Sequence, residues 1–407
     1  MTVRQPQPHP VSPGAGTGPR RRALALLAAA TAVGSTGLAA GGTAGALLVV
    51  DITGAHAMAG VPLGLLVVGS AAGAPLLAQQ AAAGRRVRGL ALGYAIGVAG
   101  ALIVVLAALW QNLPLLLAGS FVLGVANSSV FMSRYAAMDA ATEGTRGRAI
   151  GVVFAAMALG AIVSPTLLGP SGSVARAMGL PPLAGLYLVA VLAFGGAAVL
   201  LAARSGALAT HPEPGDGRGI VAVLADTMHR PAAVTAVIVL AATNFVMVGV
   251  MTIAPVHLTG HGHSLGQVGA IIALHVTGMF AVAPLTGLLA DRAGPAVVAR
   301  LGGLLLTVAM VIGLFVEGSG VLVMTVHLLV LGVGWNCGVV GGSTLLGTAV
   351  PARTRPHVEG IAEVMMGLAA AAAGPVSGLV AELGGYLTYC LIAIPAAVFL
   401  FLRRIPA

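Results

Sequence analysis

Met247-Val-Gly-Val-Met251 and His275-Val-Thr-Gly-Met279 each place two ligand-type side chains four residues apart inside an apolar run. On an α-helix that spacing puts both on one face, about 6 Å apart along the axis. Three thioethers and one imidazole are soft or borderline ligands, the kind that select Cu(I) over hard cations. A lone methionine in a membrane helix is ordinarily gap filler. A histidine inside a span is costly and by default functional, so the four together read as a soft-metal site. Between the pairs stands His257-Leu-Thr-Gly-His261-Gly-His263. These three imidazoles read either as an outer collecting patch, with Asp51, His56 and Met58 of the first outer loop beside it, or as solvated surface.

The elements that must position these residues are membrane spans. Of 407 residues, 58% are hydrophobic and 8% charged, and the mean hydropathy is +1.01, values that exclude a soluble globular protein. Runs of about 20 apolar residues can cross a bilayer. Twelve of them fall near 23–50, 56–82, 89–109, 113–137, 149–169, 182–204, 231–256, 265–290, 301–317, 321–350, 360–383 and 384–402. The fold class expected is an all-α membrane protein of two six-helix bundles. Its division is a disordered cytoplasmic tail (1–22), a first bundle (23–204), a cytoplasmic linker (205–230) and a second bundle (231–407).

All 20 basic residues are arginine. With spans alternating from a cytoplasmic N-terminus, only Arg176 falls on the outer side, so the positive-inside rule places both termini in the cytoplasm and the chain in the cytoplasmic membrane. Topology thus accounts for the basic balance, and nucleic acid is not expected as a partner. The two cysteines, Cys337 and Cys390, both lie in apolar runs and make no disulfide framework or zinc-finger spacing.

A weak internal repeat runs through the chain. Thr145, Arg146 and Gly151 recur as Thr354, Arg355 and Gly360, 209 positions on, while Pro165 recurs as Pro375 and Gly84 as Gly294, 210 positions on. Two parallel six-helix halves joined by a central linker resemble the major facilitator superfamily. Gly287-Leu-Leu-Ala-Asp291-Arg292-Ala-Gly294 looks like that superfamily's loop signature; its first-half counterpart has Ala81 and Ala82 where Asp-Arg would stand.

The Met-x-x-x-Met and His-x-x-x-Met pairs, with first residues 28 apart, further resemble the CcoA-like copper importers, which supply copper for cytochrome oxidase assembly. The resemblance implies that Met247, Met251, His275 and Met279 contact copper. It departs in having no cysteine near these helices, and a relative within the wider family moves riboflavin.

Asn127, Asn244 and Cys337 are candidate cavity-lining residues, and Cys337, Met365 and Met366 are candidate inner stations for a soft ion. Glu363 and Glu382 read as proton carriers or as side chains snorkelling to water, and Arg134 is expected to order the inner gate with Asp139 or Glu143. No nucleotide-binding loop is present, so ATP-driven transport is not expected. The expectation is a monomeric transporter, not an enzyme, with copper as cargo, no resident cofactor, and a cytoplasmic copper acceptor as its further partner. The alternative is a carrier of an organic solute such as a flavin or drug, against which 4% aromatic content counts.

Overall fold

A computed structural model of the protein describes residues 17–40, 44–55, 58, 60–204 and 220–403. In the first half, α1 (Thr17–Ala39) and α2 (Gly45–Thr53) form one pass, followed by α3 (Val61–Ala82), α4 (Arg86–Trp110) and α5 (Leu113–Ala140). The half is completed by α6 (Arg146–Thr166), which continues as α7 (Leu168–Ala177), and α8 (Gly185–Arg204). After α9 (Ile220–Met228), the second half comprises α10 (Pro231–Gly260), α11 (Leu265–Phe280) with α12 (Ala283–Ala293), α13 (Pro295–Gly313), α14 (Val321–Ala349) and α15 (Arg355–Leu402). Among the described residues ten helices are long and apolar enough to cross a membrane. The 48-residue α15 breaks at Gly384 and Gly385, the latter at φ 75°, so it crosses twice. With α1 and α2 the chain makes twelve passes.

Several boundaries differ from the sequence expectation. Helix α1 starts at Thr17, inside the expected tail, because Pro19 fits a first helical turn and the three arginines after it are good helix formers. The expected linker contains α9, whose Val223 and Thr227 are buried as it packs on α10 and α15. The rest of that linker, 205–219, and tail residues 1–16 lie outside the described residues, as does His56. Helix α10 runs four residues past its expected end, so His257 stands on the helix rather than in a loop. The eighth pass is split at 281–282: Pro284, at the start of α12, has no N–H to give the preceding turn.

The repeat is structural. Arg146 and Arg355 both open helices, and Gly84 and Gly294 both hold left-handed φ values, 73° and 94°, in equivalent turns. The halves meet along two seams, α3 with α15 and α12 with α6. Glycine permits this contact: a methyl on Gly147 would overlap the Gly287 carbonyl, and one on Gly287 would overlap that of Gly147. Small residues at such seams let backbones touch where lipid supplies no hydrophobic drive.

Candidate functional site

Ser264 starts α11 with a capping box: its Oγ accepts from the Gln267 N–H at 3.3 Å and the Gln267 Oε1 accepts from its own N–H at 3.0 Å. Gly262, at φ 80°, makes the turn from α10. Counted from the facing ends of α10 and α11 at about 1.5 Å per residue, Met251 and His275 lie ~14 and ~15 Å deep, and Met247 and Met279 ~20 and ~21 Å. The four therefore stand in two rungs, Met251 with His275 and Met247 with Met279. Met247 and Met279 are buried, and Met251 is partly buried against the core. The two helices touch little; each packs on α14 instead.

His275 is 1% exposed, and its Nδ1–H donates to the Leu328 carbonyl at 2.7 Å. Gly332, where a methyl would overlap the His275 carbonyl, lets α11 and α14 come this close. A carbonyl can only accept, so Nδ1 carries the proton and Nε2 carries a lone pair. That Nε2 is buried and has no hydrogen-bond partner. An imidazole oriented by a backbone carbonyl through one nitrogen and free at the other is the usual arrangement of a metal-ligating histidine.

Asn336, fully buried, splints the split eighth pass. Its Nδ2 donates to the Met279 carbonyl at 2.6 Å, and its Oδ1 accepts from Thr286 Oγ1 at 2.6 Å. The carbonyl released by the helix break is thus satisfied beside a proposed ligand. Asn244 spans α14 and α15, accepting from Trp335 Nε1 at 3.1 Å and donating to the Met366 carbonyl at 2.9 Å. Asn127 donates to Ser70 Oγ at 3.0 Å. Cys337 is buried and unoxidised.

Phe154, Phe280 and Trp335 form a buried aromatic trio between the halves, with ring centroids 5.8 to 6.2 Å apart. The low aromatic content concealed this, because three of the 16 aromatic residues come together at one place.

At the histidine-bearing end, the His257 ring lies 4.1 Å from His261 and 4.7 Å from Tyr386, centroid to centroid. His257, His261 and His263 line one cavity of about 200 Å³ with Met324 and the turn at 318–320. Among the described residues no group of three or more His, Cys, Asp or Glu side chains is placed to hold a metal ion together. As they stand, then, the three imidazoles share a cavity without forming a chelate.

The opposite, arginine-rich end is sealed. Arg134, fully buried on α5, pairs with Glu363 on α15, and Arg86 bridges Asp139 at 2.8 Å and Glu359 at 2.7 Å. Arg355 reaches Asp139 at 3.4 Å. Asp291 caps α6, accepting from the Gly147 and Arg148 N–H groups at 2.7 and 3.1 Å. Every described hydrogen bond or ion pair joining the halves lies toward this end.

A sequence model of the Major Facilitator Superfamily matches residues 23–335 and 249–407. The chain belongs to that superfamily. It is 32% identical over 381 residues to the uncharacterised MFS-type transporter YdeG of Bacillus subtilis (strain 168), covering 91% of this chain and 88% of that protein. It is 28% identical over 382 residues to the riboflavin transporter RfnT of Brucella anthropi, covering 92% and 93%. Solved structures with the same fold include the Escherichia coli fucose:proton symporter FucP (TM-score 0.72, 15% identity, 94% and 97% covered). A bacterial homologue of the iron transporter ferroportin, in an outward-facing state, matches at TM-score 0.72 and 13% identity, with 93% and 98% covered.

In this facilitator the inner residues differ from expectation. Arg134 takes Glu363 as its partner, since α15 crosses it, while Asp139 is held by Arg86 and Arg355. Glu363 is therefore neither alone nor snorkelling. Met366 is a poor station for a cation: its Sδ lies 3.7 Å from the Arg134 guanidinium. Met365 is 41% exposed. The loop signature is complete only in the second half, and the loss is reciprocal. Ala81 stands where Asp291 would, and Pro356, which has no N–H, stands where its donor Gly147 would.

Proposed function

We propose that this facilitator imports copper, as Cu(I), across the cytoplasmic membrane by alternating access. Met247, Met251, His275 and Met279 hold the ion between its entry face and its midplane. The observation that carries the reading is the buried, unpartnered Nε2 of His275, whose tautomer the Leu328 carbonyl fixes. An apolar interior bears such a lone pair at a cost unless something fills it. Three thioethers on α10 and α11, two helices that both pack on α14, are fitting co-ligands, and they bind without losing a proton, so only the histidine makes the site sensitive to pH.

The arginine distribution orients the sealed end to the cytoplasm and the histidine-bearing end outward. His257, His261 and His263 then lie at the mouth, where they raise the local metal concentration before the ion descends. A cytoplasmic acceptor receives it when the sealed end opens.

The second reading, an organic solute of the flavin kind, is favoured by the Phe154, Phe280 and Trp335 trio and by the likeness to RfnT. Proteoliposomes containing the full chain separate the two, assayed in parallel for Cu(I) and riboflavin uptake. Copper uptake lost in His275→Leu supports the first reading. Riboflavin uptake lost in Trp335→Ala, with no copper uptake by the parent, replaces it with the second.

A further inference from the structure

Helices α1 and α6 pack side by side and are tightest at Gly160, where a methyl would overlap the Ser35 hydroxyl. One turn on, Ser164 Oγ donates to the Thr36 carbonyl at 2.6 Å. Toward the arginine-rich end a recess of about 360 Å³ opens between these two helices and the end of α5. That volume is within the range of small-molecule sites. Leu24, Ala137 and Ala140 give it apolar walls, and Arg20, Arg21 and Arg148 stand around it. No residue lining it is a carboxylate.

Arg148 is already engaged by Asp291 at 2.9 Å. Arg20 and Arg21 are exposed, and neither takes part in any described ion pair. Val152, at the edge of the recess, is exposed, as are Leu159 and Val163, seven and eleven residues on and hence on the same face of α6. Phe154, which meets Phe280 and Trp335 between the halves, lies on roughly the opposite face. The recess therefore opens to the bilayer and not to the central cleft.

Topology alone asks for positive charge at this end of α1 but for no hollow beside it. Guanidinium groups keep their charge, so cations gathered around an apolar recess repel one another until an anion joins them. Residues 1–16 of the chain cannot supply it, since they include no Asp or Glu.

We propose that this recess binds an anionic phospholipid: the lipid phosphate pairs with Arg20 and Arg21, and the start of an acyl chain lies against Leu24, Ala137 and Ala140. Arginine forks match phosphate oxygens two at a time. Basic pockets between spans at headgroup level suit such lipids. The site is built from the first half alone and does not depend on what the transporter carries.

Native mass spectrometry of the full chain in detergent, with dioleoylphosphatidylglycerol added, tests this. One tight adduct is expected, and dioleoylphosphatidylcholine should bind far more weakly. Arg20→Gln combined with Arg21→Gln should weaken the adduct by about tenfold or more. Ala140→Phe, which fills the recess and leaves every charge in place, should weaken it similarly. Arg22→Gln combined with Arg204→Gln, an equal loss of charge outside the recess, should leave it unchanged, and inorganic phosphate in millimolar excess should not displace it. Absence of the adduct from the parent overturns the proposal. So does an adduct equally tight in the parent, the Arg20/Arg21 variant and Ala140→Phe, or an equal loss in the Arg22/Arg204 control. Displacement by inorganic phosphate would make this a free-anion site, and an adduct formed only after deletion of residues 1–16 would assign the recess to the chain's own tail; either result also overturns it.

Discussion

The Nδ1–H of His275 donates to the Leu328 carbonyl at 2.7 Å, which leaves the other ring nitrogen as a fixed, buried acceptor. The bond links the eighth pass to α14, so the ring is held by the scaffold and not by any ion it binds. His275→Leu should lower copper accumulation at least tenfold at unchanged protein level. Its effect on folding should be limited to about 1 kcal/mol for one lost interhelical hydrogen bond. Metal analysis of the purified protein beside a thermal unfolding curve measures both.

The methionines should be separable from packing by shape. Leucine nearly conserves methionine's volume and costs less than about 1.5 kcal/mol in a core. Met247→Leu and Met251→Leu are therefore expected to fold and to lose copper uptake, the doubly substituted protein losing all of it. Uptake at the parental rate in the double variant would take these sulfurs out of the site.

Asn336 holds the two pieces of the eighth pass through two hydrogen bonds of 2.6 Å. Asn336→Leu strands the Met279 carbonyl, while the Thr286 hydroxyl keeps the Ala283 carbonyl at 3.1 Å, and should destabilise the protein by about 1–2 kcal/mol. Chemical unfolding in detergent reads the loss, and Thr286→Val combined with it should add little.

Gly249 lies between the two methionines of α10, where a methyl would overlap the Tyr389 hydroxyl. Gly249→Ala should displace α10 from α15 and lower stability by about 1–3 kcal/mol, as overpacking does. Tyr389→Ala in the same chain should recover part of that loss, a positive coupling in a double-mutant cycle.

Asp291 neutralises the N-terminus of α6 across the seam between halves, and Asp291→Asn should weaken that closure by about 1 kcal/mol. In the other seam Ala81→Asp should gain nothing while Pro356 is present, but should add stability in a Pro356→Ala background. Thermal midpoints of the four combinations decide this.

Much of the architecture was legible because bilayer thickness and apolar run length constrain each other. The repeat at 209 to 210 positions even marked where α6 and α15 begin, and the boundary between the last two passes fell on Gly384. The spacing of Met247, Met251, His275 and Met279 pointed to soft ligands, but that Nε2 of His275 is unpartnered depends on Leu328, 53 residues away. Periodicity carries no record of such a contact. Arg134 was assigned to neighbours on its own loop, whereas its partner Glu363 lies 229 residues on, in the other half. The aromatic trio was missed because composition counts residues without locating them. One signal was available: Phe280 and Trp335 each stand near the middle of a predicted span, where a fold with two halves has its central contact.

The mutual contact of Gly147 and Gly287 has a consequence for how the molecule can move. With the two backbones in direct contact, that spot acts as a bearing: it tolerates rotation and admits no spacer. Any added carbon at either position would serve as a shim and hold the arginine-rich end ajar. A variant of this kind would accumulate in the conformation opposite to the one described here, with every ligand of the proposed site intact.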